Sequence, residues 1–251
     1  MVRHRPLRIP DPPGAPRLRA ALNAWYRRHR RTLPWRDTGD PYRVLVSEFM
    51  LQQTQVATVL PYFDAFLRRF PDLRALAEAP ENSVRAAWSG LGYYRRARNL
   101  QAAARTLVRD HGGALPDSYE ALRALPGVGE YTAAALGSLV HGLPHAVVDG
   151  NVIRVLTRLV AYNEIVSRTA ARRALQELAD ALLDPRRPGD WNQAMMELGA
   201  TVCLPRNPRC VACPWRGVCR ARAAGDPERY PAKEPDSAPG DRKSTRLNSS
   251  H

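Results

Sequence analysis

Apolar positions recur at helical spacing along almost the whole chain. Leu18, Leu22, Trp25 and Tyr26 fall on one helical face, as do Leu175, Leu178 and Leu182, and no stretch alternates as a half-buried strand would. The pattern predicts an all-α fold. Breakers at residues 32–41, 112–118, 126–129, 142–150 and 184–190 divide it into ten or so short helices, with no repeat of solenoid period. Two helix starts are marked. Asp40-Pro41 supplies an N-cap and a first helical residue for a helix over 42–52. Asp149-Gly150-Asn151 precedes a helix over 152–160, and the helix dipole there favours an ionised Asp149. After Cys219 the pattern gives way to charge, Pro and Ser, so residues 223–251 are predicted to be a disordered tail. Its last ten residues, 242–251, look extraneous and are set aside from fold reasoning.

Composition adds class and partner. With 251 residues, 44% of them hydrophobic, the chain can bury the core of one large or two small domains, and no apolar run approaches membrane-spanning length. The arm at 1–16 is rich in Arg and Pro and lacks an apolar signal core, so a cytoplasmic, nucleoid-associated protein is expected. A formal charge of +14 predicts a polyanionic partner, although a basic face can also be merely solvated. The charge is almost entirely arginine: the only lysines are Lys233 and Lys243, which leaves the folded body without an amine nucleophile.

All four cysteines fall within seventeen residues, as Cys203-x6-Cys210-x2-Cys213-x5-Cys219. They read as one tetrathiolate metal site. Pro205, Pro208 and Pro214 between them favour a loop over core packing. Spacing alone leaves zinc and iron–sulfur open, though the unequal gaps depart from the paired short knuckles of zinc ribbons and favour iron–sulfur.

Three further features carry chemistry. In Leu125-Pro126-Gly127-Val128-Gly129 the two glycines permit a sharp turn with outward amides ahead of a helix over 130–140, suited to a phosphate or simply to a tight turn. Residues 115–136 thereby resemble a helix-hairpin-helix element, which grips DNA backbone without reading sequence. Glu48 shares a helical face with Val44 and Leu51. Poor hydration there would raise its pKa and make it a proton donor, whereas an arginine partner would lower it; periodicity fits both. A raised carboxyl with an ionised one, here Glu48 with Asp149, is the pair needed to break a glycosidic bond through an oxocarbenium-like state.

The segments 47–56 (SEFMLQQTQV), 90–94 (GLGYY), 125–131 and 148–154 and the four cysteines, in this order, resemble the MutY-type adenine DNA glycosylases over residues 17–220. The resemblance implies a helix-hairpin-helix DNA glycosylase fold: a six-helix domain over 34–145, and an iron–sulfur domain from 17–33 and 146–222 holding a [4Fe-4S] cluster on Cys203, Cys210, Cys213 and Cys219. A DNA cleft would lie between them, with Glu48 and Asp149 on opposite sides. It implies a monomer acting on double-stranded DNA with A:8-oxoG or A:G mispairs, in base-excision repair. Glu48 would protonate the flipped adenine and Asp149 stabilise the sugar cation. Tyr131 stands where the related endonuclease III enzymes carry a catalytic lysine, so the activity implied is a monofunctional hydrolase. Tyr93 would wedge the duplex beside Leu91, Gln53 and Thr54 would touch the opposite base, Gly127 and Gly129 would hold phosphate, and Trp35, Arg36 and Asn151 would line the adenine pocket. Without the family, Tyr93 and Trp35 read as core aromatics.

Family members generally continue into a Nudix-related domain that helps recognise 8-oxoguanine. Only about thirty residues follow Cys219, so a weaker preference for 8-oxoguanine over guanine is expected. The competing readings are an endonuclease III-like glycosylase for oxidised pyrimidines, a noncatalytic helix-hairpin-helix DNA-binding module, and a zinc-bound form of the same enzyme.

Overall fold

The computed structural model describes residues 14–232 and residue 234. The regular elements among them are helical, and extended backbone pairs only in an isolated parallel bridge between Ile165 and Ala232. Contacts divide the described residues into two compact units, one of residues 31–145 and one of 14–30 with 146 onward. The first boundary precedes the expected 33/34 because α1 (Ala15–His29) ends early and Leu33 already belongs to the other unit's core. Residues 1–13 of the expected arm, and 233 and 235–251 of the expected tail, lie outside the described residues.

In the unit of 31–145, α2 (Pro41–Leu51) is the central element, with Leu45, Val46, Phe49 and Met50 fully buried. Asp40 starts it: its Oδ1 accepts the Tyr42 N–H at 2.9 Å, satisfying an amide with no partner inside the helix. Around it lie α3 (Val56–Arg69), α6 (Arg95–Asp110) and α8 (Glu130–Val140), the last with the bounds expected from sequence. Between them come α4 (Leu73–Glu78), α5 (Glu81–Ala87) and α7 (Tyr119–Arg123). The described residues of this unit thus hold seven helices where six were expected. Pro80 accounts for the division of α4 from α5, since it forces Ala79 into extended backbone at ψ 146°. The Gln101 amide closes the broken end, donating to Leu76 O at 3.1 Å and Ala79 O at 2.7 Å.

In the other unit, α9 (Gly150–Val160) buries Val152, Val155, Leu156 and Leu159 against α10 (Thr169–Leu182), α11 (Pro188–Thr201) and α12 (Arg220–Ala223). It starts two residues before the expected 152 because Gly150 and Asn151 already follow the Asp149 cap into the helix. The helix α1 lies on α10 and α11, held by Arg19 Nε to Leu182 O at 2.9 Å and by Trp215 Nε1 to Leu18 O at 3.0 Å. Residues 224–232, assigned from sequence to a disordered tail, differ from that expectation. They make a 3-10 turn at Pro227–Arg229 and bury Tyr230, whose carbonyl accepts the buried Arg158 Nε at 3.1 Å.

One glycine fixes the loop before α6. Gly90 lies at φ +100°, and a Cβ there would stand 2.1 Å from Tyr62 Oη. Gly90→Ala is therefore expected to lower the unfolding free energy by about 2 kcal/mol. Urea titration checks this, and a loss below about 0.5 kcal/mol would contradict it.

Candidate active site

The C-terminal end of α2 and the loop before α6 meet on one side chain, Arg96. The residue is 6% exposed. Nη1 donates to Phe49 O (3.3 Å), Met50 O (2.7 Å) and Gln52 O, and Nη2 to Leu91 O (3.1 Å) and Gly92 O (3.2 Å). Burial lowers its pKa from the ordinary arginine value, against an opposing effect of Tyr93. Gln53 and Tyr93 follow the clamped carbonyls of Gln52 and Gly92, both are exposed, and both have left-handed backbone at φ +56° and +48°. Such a conformation in a residue other than glycine is strained and often marks a functional site.

Other positions assigned to DNA contact fare differently. Leu91 is 5% exposed and belongs to the core, so its side chain does not offer the contact expected of it. Trp35 is 8% exposed and meets Phe63 edge-on at 5.1 Å, the packing expected of a core aromatic rather than an open pocket wall. Thr54 is also buried, and Arg36 donates Nη1 to Arg31 O at 3.0 Å. Glu48, on the inner part of α2, is 5% exposed. In the hairpin only Gly127 needs its glycine for conformation, at φ +76° with a Cβ position 2.5 Å from Asn99 Cβ; Gly129 has an ordinary φ of −88°. Gly129 instead leaves the start of α8 uncovered, with no atom within 4 Å of its absent Cβ. Tyr131, in the first turn of α8, is partly buried. The Gln52 amide ties α2 to the hairpin, donating to Thr132 Oγ1 at 3.3 Å.

In the other unit, Asp149 Oδ1 accepts the Val152 N–H at 2.7 Å and Oδ2 accepts Asn151 Nδ2 at 3.0 Å. Both oxygens thus work as acceptors at the start of α9, the orientation expected of a capping carboxylate. Asn151 Oδ1 accepts Arg154 Nη2 at 2.7 Å, and Arg154 also donates to Gly199 O (2.9 Å) and through Nε to Cys203 O (2.7 Å). Burial lowers the Arg154 pKa, opposed by Cys203 and Asp149. One turn on, Arg158 is 2% exposed and donates to Leu204 O (2.6 Å), Pro205 O (3.0 Å) and Cys203 Sγ (3.4 Å).

The four cysteines lie in the loop from the end of α11 to the start of α12, all partly buried and none in a disulfide. Burial pushes the Cys203, Cys213 and Cys219 thiols up, Cys213 to about 12, and the neighbouring sulfurs add to this. Backbone N–H groups oppose it, from Trp215 on Cys213 and from Arg222 and Ala221 on Cys219. A donor set of four mutually interacting sulfurs fits a metal or cluster that binds thiolates. The fit is one of donor chemistry and not of placement: among the described residues, no three His, Cys, Asp or Glu side chains are arranged to hold a metal ion. Arg96, Arg154 and Arg158 went unassigned in the sequence reading because arginine is everywhere in this chain. For Arg96 and Arg158 the usable signal is their place on the buried helical stripes of α6 and α9.

Gly199 sets the distance between α11 and Asn151: a Cβ there would lie 2.5 Å from Asn151 Cβ and 3.0 Å from Asn151 O. Gly199→Ala should displace Asn151 and destabilise the protein by about 1–3 kcal/mol despite alanine's better helix propensity. Equal or higher stability in thermal unfolding would contradict this close packing.

A profile of the HhH-GPD superfamily base excision DNA repair proteins matches residues 46–181. The human adenine DNA glycosylase is 48% identical over 213 residues, covering 81% of this chain and 39% of the human protein, so the chain spans about two-fifths of that relative. The adenine DNA glycosylase of Mycobacterium tuberculosis is 43% identical over 209 residues, covering 82% of this chain and 68% of the relative. Among solved structures, a thermostable thymine-DNA glycosylase superposes with a TM-score of 0.74 at 29% identity, over 84% of this chain and 97% of that one. With its all-helical architecture and the hairpin before α8, the chain belongs to the HhH-GPD superfamily of base excision DNA repair proteins, among the relatives of the adenine DNA glycosylases.

Proposed function

We propose that the chain is a monofunctional adenine DNA glycosylase, hydrolysing the N-glycosidic bond of adenine mispaired with 8-oxoguanine or guanine in double-stranded DNA. The observation that carries this reading is the Asp149 carboxylate, which caps α9 by accepting the Val152 N–H and also accepts the Asn151 amide. An anion held in place by its own helix can stabilise positive charge on a sugar without reorganising. Glu48, a carboxyl shielded from water at 5% exposure, supplies the proton that turns adenine into a leaving group. Asp149 then stabilises the oxocarbenium-like sugar while water completes the hydrolysis. Tyr131, at the start of α8, offers a phenol that forms no Schiff base, and no lysine precedes Lys233. This favours hydrolysis without strand cleavage over the endonuclease III-like reading.

Cys203, Cys210, Cys213 and Cys219 would hold a [4Fe-4S] cluster, which when bound keeps the four sulfurs as thiolates and cross-links the loop. The amides directed at Cys213 and Cys219 support that role, since hydrogen bonds to sulfur stabilise a negatively charged site. Iron and acid-labile sulfide in equal amounts are expected in the purified protein. Zinc in their place would replace the cluster assignment with the zinc-bound form. DNA is bound chiefly through phosphates by Gly127, Gly129 and the arginine-rich surface, and the protein acts as a monomer in the cytoplasm, associated with the nucleoid. Among the described residues, no helix is long and apolar enough to cross a membrane.

The test is single-turnover incubation with labelled duplexes holding adenine opposite 8-oxoguanine, guanine or thymine, with and without alkali. Cleavage at mispaired adenine that requires alkali is expected, with no borohydride trapping. Duplex binding without release of any base would instead identify a noncatalytic module. Asp149→Asn, which keeps a good N-cap, is expected to retain stability within about 0.5 kcal/mol. Both it and Glu48→Gln should lose excision by at least about 100-fold while still binding DNA. Near-normal turnover by either variant would remove that residue from the mechanism.

A further inference from the structure

We propose that Arg96 is the positioning residue that sets Gln53 and Tyr93 as a single rigid pair, so that both side chains meet the duplex together. The proposal rests on the glycosylase reading above for its DNA and extends it to a residue that need not touch that DNA. Gln53 and Tyr93 are forty residues apart, in different loops, yet they share two features. Each is an exposed residue other than glycine with left-handed backbone, and each directly follows a carbonyl held by the Arg96 guanidinium. Nη1 holds the α2 side through Phe49, Met50 and Gln52, and Nη2 holds the other loop through Leu91 and Gly92. The planar guanidinium fixes the angle between its two nitrogens and therefore the relation of one loop to the other, which a rotating ammonium would not do.

Neighbouring contacts act in the same direction. The guanidinium carbon lies 5.3 Å from the Tyr93 ring centroid and 5.5 Å from that of Trp88. Trp88 Nε1 also donates to Gly92 O at 3.2 Å, so the peptide before Tyr93 is held from two sides. Asn99, one turn along α6, fills the space at Gly127 and leaves no room for a side chain there. The first two turns of α6 thus abut three of the segments assigned to DNA contact, those of Gln53, Tyr93 and Gly127. An arginine serving only to satisfy the end of α2 would not need the two bonds to Leu91 and Gly92, nor would it explain left-handed backbone at both following residues.

The experiment uses the full chain and a duplex with 2-aminopurine stacked beside an adenine opposite guanine, in which unstacking raises fluorescence. Arg96→Lys is compared with Tyr93→Ala and the double variant. Arg105→Lys serves as control, since it alters another α6 arginine that donates to a backbone carbonyl, Ala77 O at 3.1 Å. Arg96→Lys is expected to retain its helical circular dichroism and bind matched duplex within about two-fold of the unaltered protein, yet lose most of the fluorescence rise and about ten-fold or more in single-turnover excision. Adding Tyr93→Ala to Arg96→Lys should cost less than about two-fold further, because both changes disable one unit. A full fluorescence rise in Arg96→Lys, a multiplicative loss in the double variant, or an equal loss in Arg105→Lys overturns the proposal.

Should Arg96→Lys not fold, Gly92→Ala tests the same loop with the guanidinium retained. Gly92 has φ +70° and open space at its Cβ position, so the substitution acts on backbone alone. An unchanged fluorescence rise there overturns the proposal, and a diminished one supports it. Unaltered protein that unstacks the probe but releases no adenine overturns the glycosylase reading. The Arg96 comparison then stands or falls on fluorescence alone.

Discussion

Backbone carbonyls left over where short helices end must find donors, and in this chain arginine provides them. Twelve short α-helices create many such ends among the described residues. Arg96 takes five carbonyls from two segments, Arg158 takes those of Leu204, Pro205 and Tyr230, and Arg154 takes those of Cys203 and Gly199. At the periphery Arg19 and Arg105 do the same for Leu182 and Ala77. The abundance of arginine in the body therefore has an internal use beside any attraction to a polyanion. A buried guanidinium carries the cost of desolvation, which its several directed bonds offset.

The same device recurs in each unit taken by itself. On α2 and α6 it fixes loops whose exposed residues are strained. On α9 it runs along one face, from the Asp149 cap through Asn151 and Arg154 to the backbone of Cys203, with Arg158 one turn further at the sulfur. Residues close in sequence thus connect a carboxylate at a helix start to a cysteine-bearing loop about fifty positions away. The tolerances are tight because Gly199 allows α11 to lie directly against Asn151.

Much of this was legible in the sequence because it depends on local rules. Helical periodicity gave the all-α class, Asp40-Pro41 and Asp149 marked two helix starts, and the hairpin glycines located α8. What escaped depends on contacts distant along the chain. The buried state of Leu91 follows from its place in the core of its unit, which periodicity does not reveal, whereas Trp35, edge-on to Phe63, packs as the core aromatic that its sequence alone suggested. Residues 224–232 read as tail because their composition is polar, yet the Tyr230 carbonyl on Arg158, the Glu228 carboxylate on the Asn207 N–H, the bridge of Ala232 to Ile165 and the burial of Tyr230 hold them in the fold. Arg96 could have been noticed, since it occupies the stripe of Leu100, Ala103 and Leu107, where an arginine must have found partners.

The left-handed backbone at Gln53 and Tyr93 has a kinetic consequence. Because these loops are clamped in the free protein, the entropy lost in ordering them belongs to folding and is absent from each later encounter. The proposed glycosylase would interrogate very many base pairs to find a rare mispair, and could not wait for a loop to fold at every step. On the proposed reading, with Gln53 and Tyr93 held ready, the time spent at an undamaged pair would be set by movement along the DNA rather than by rearrangement of the protein.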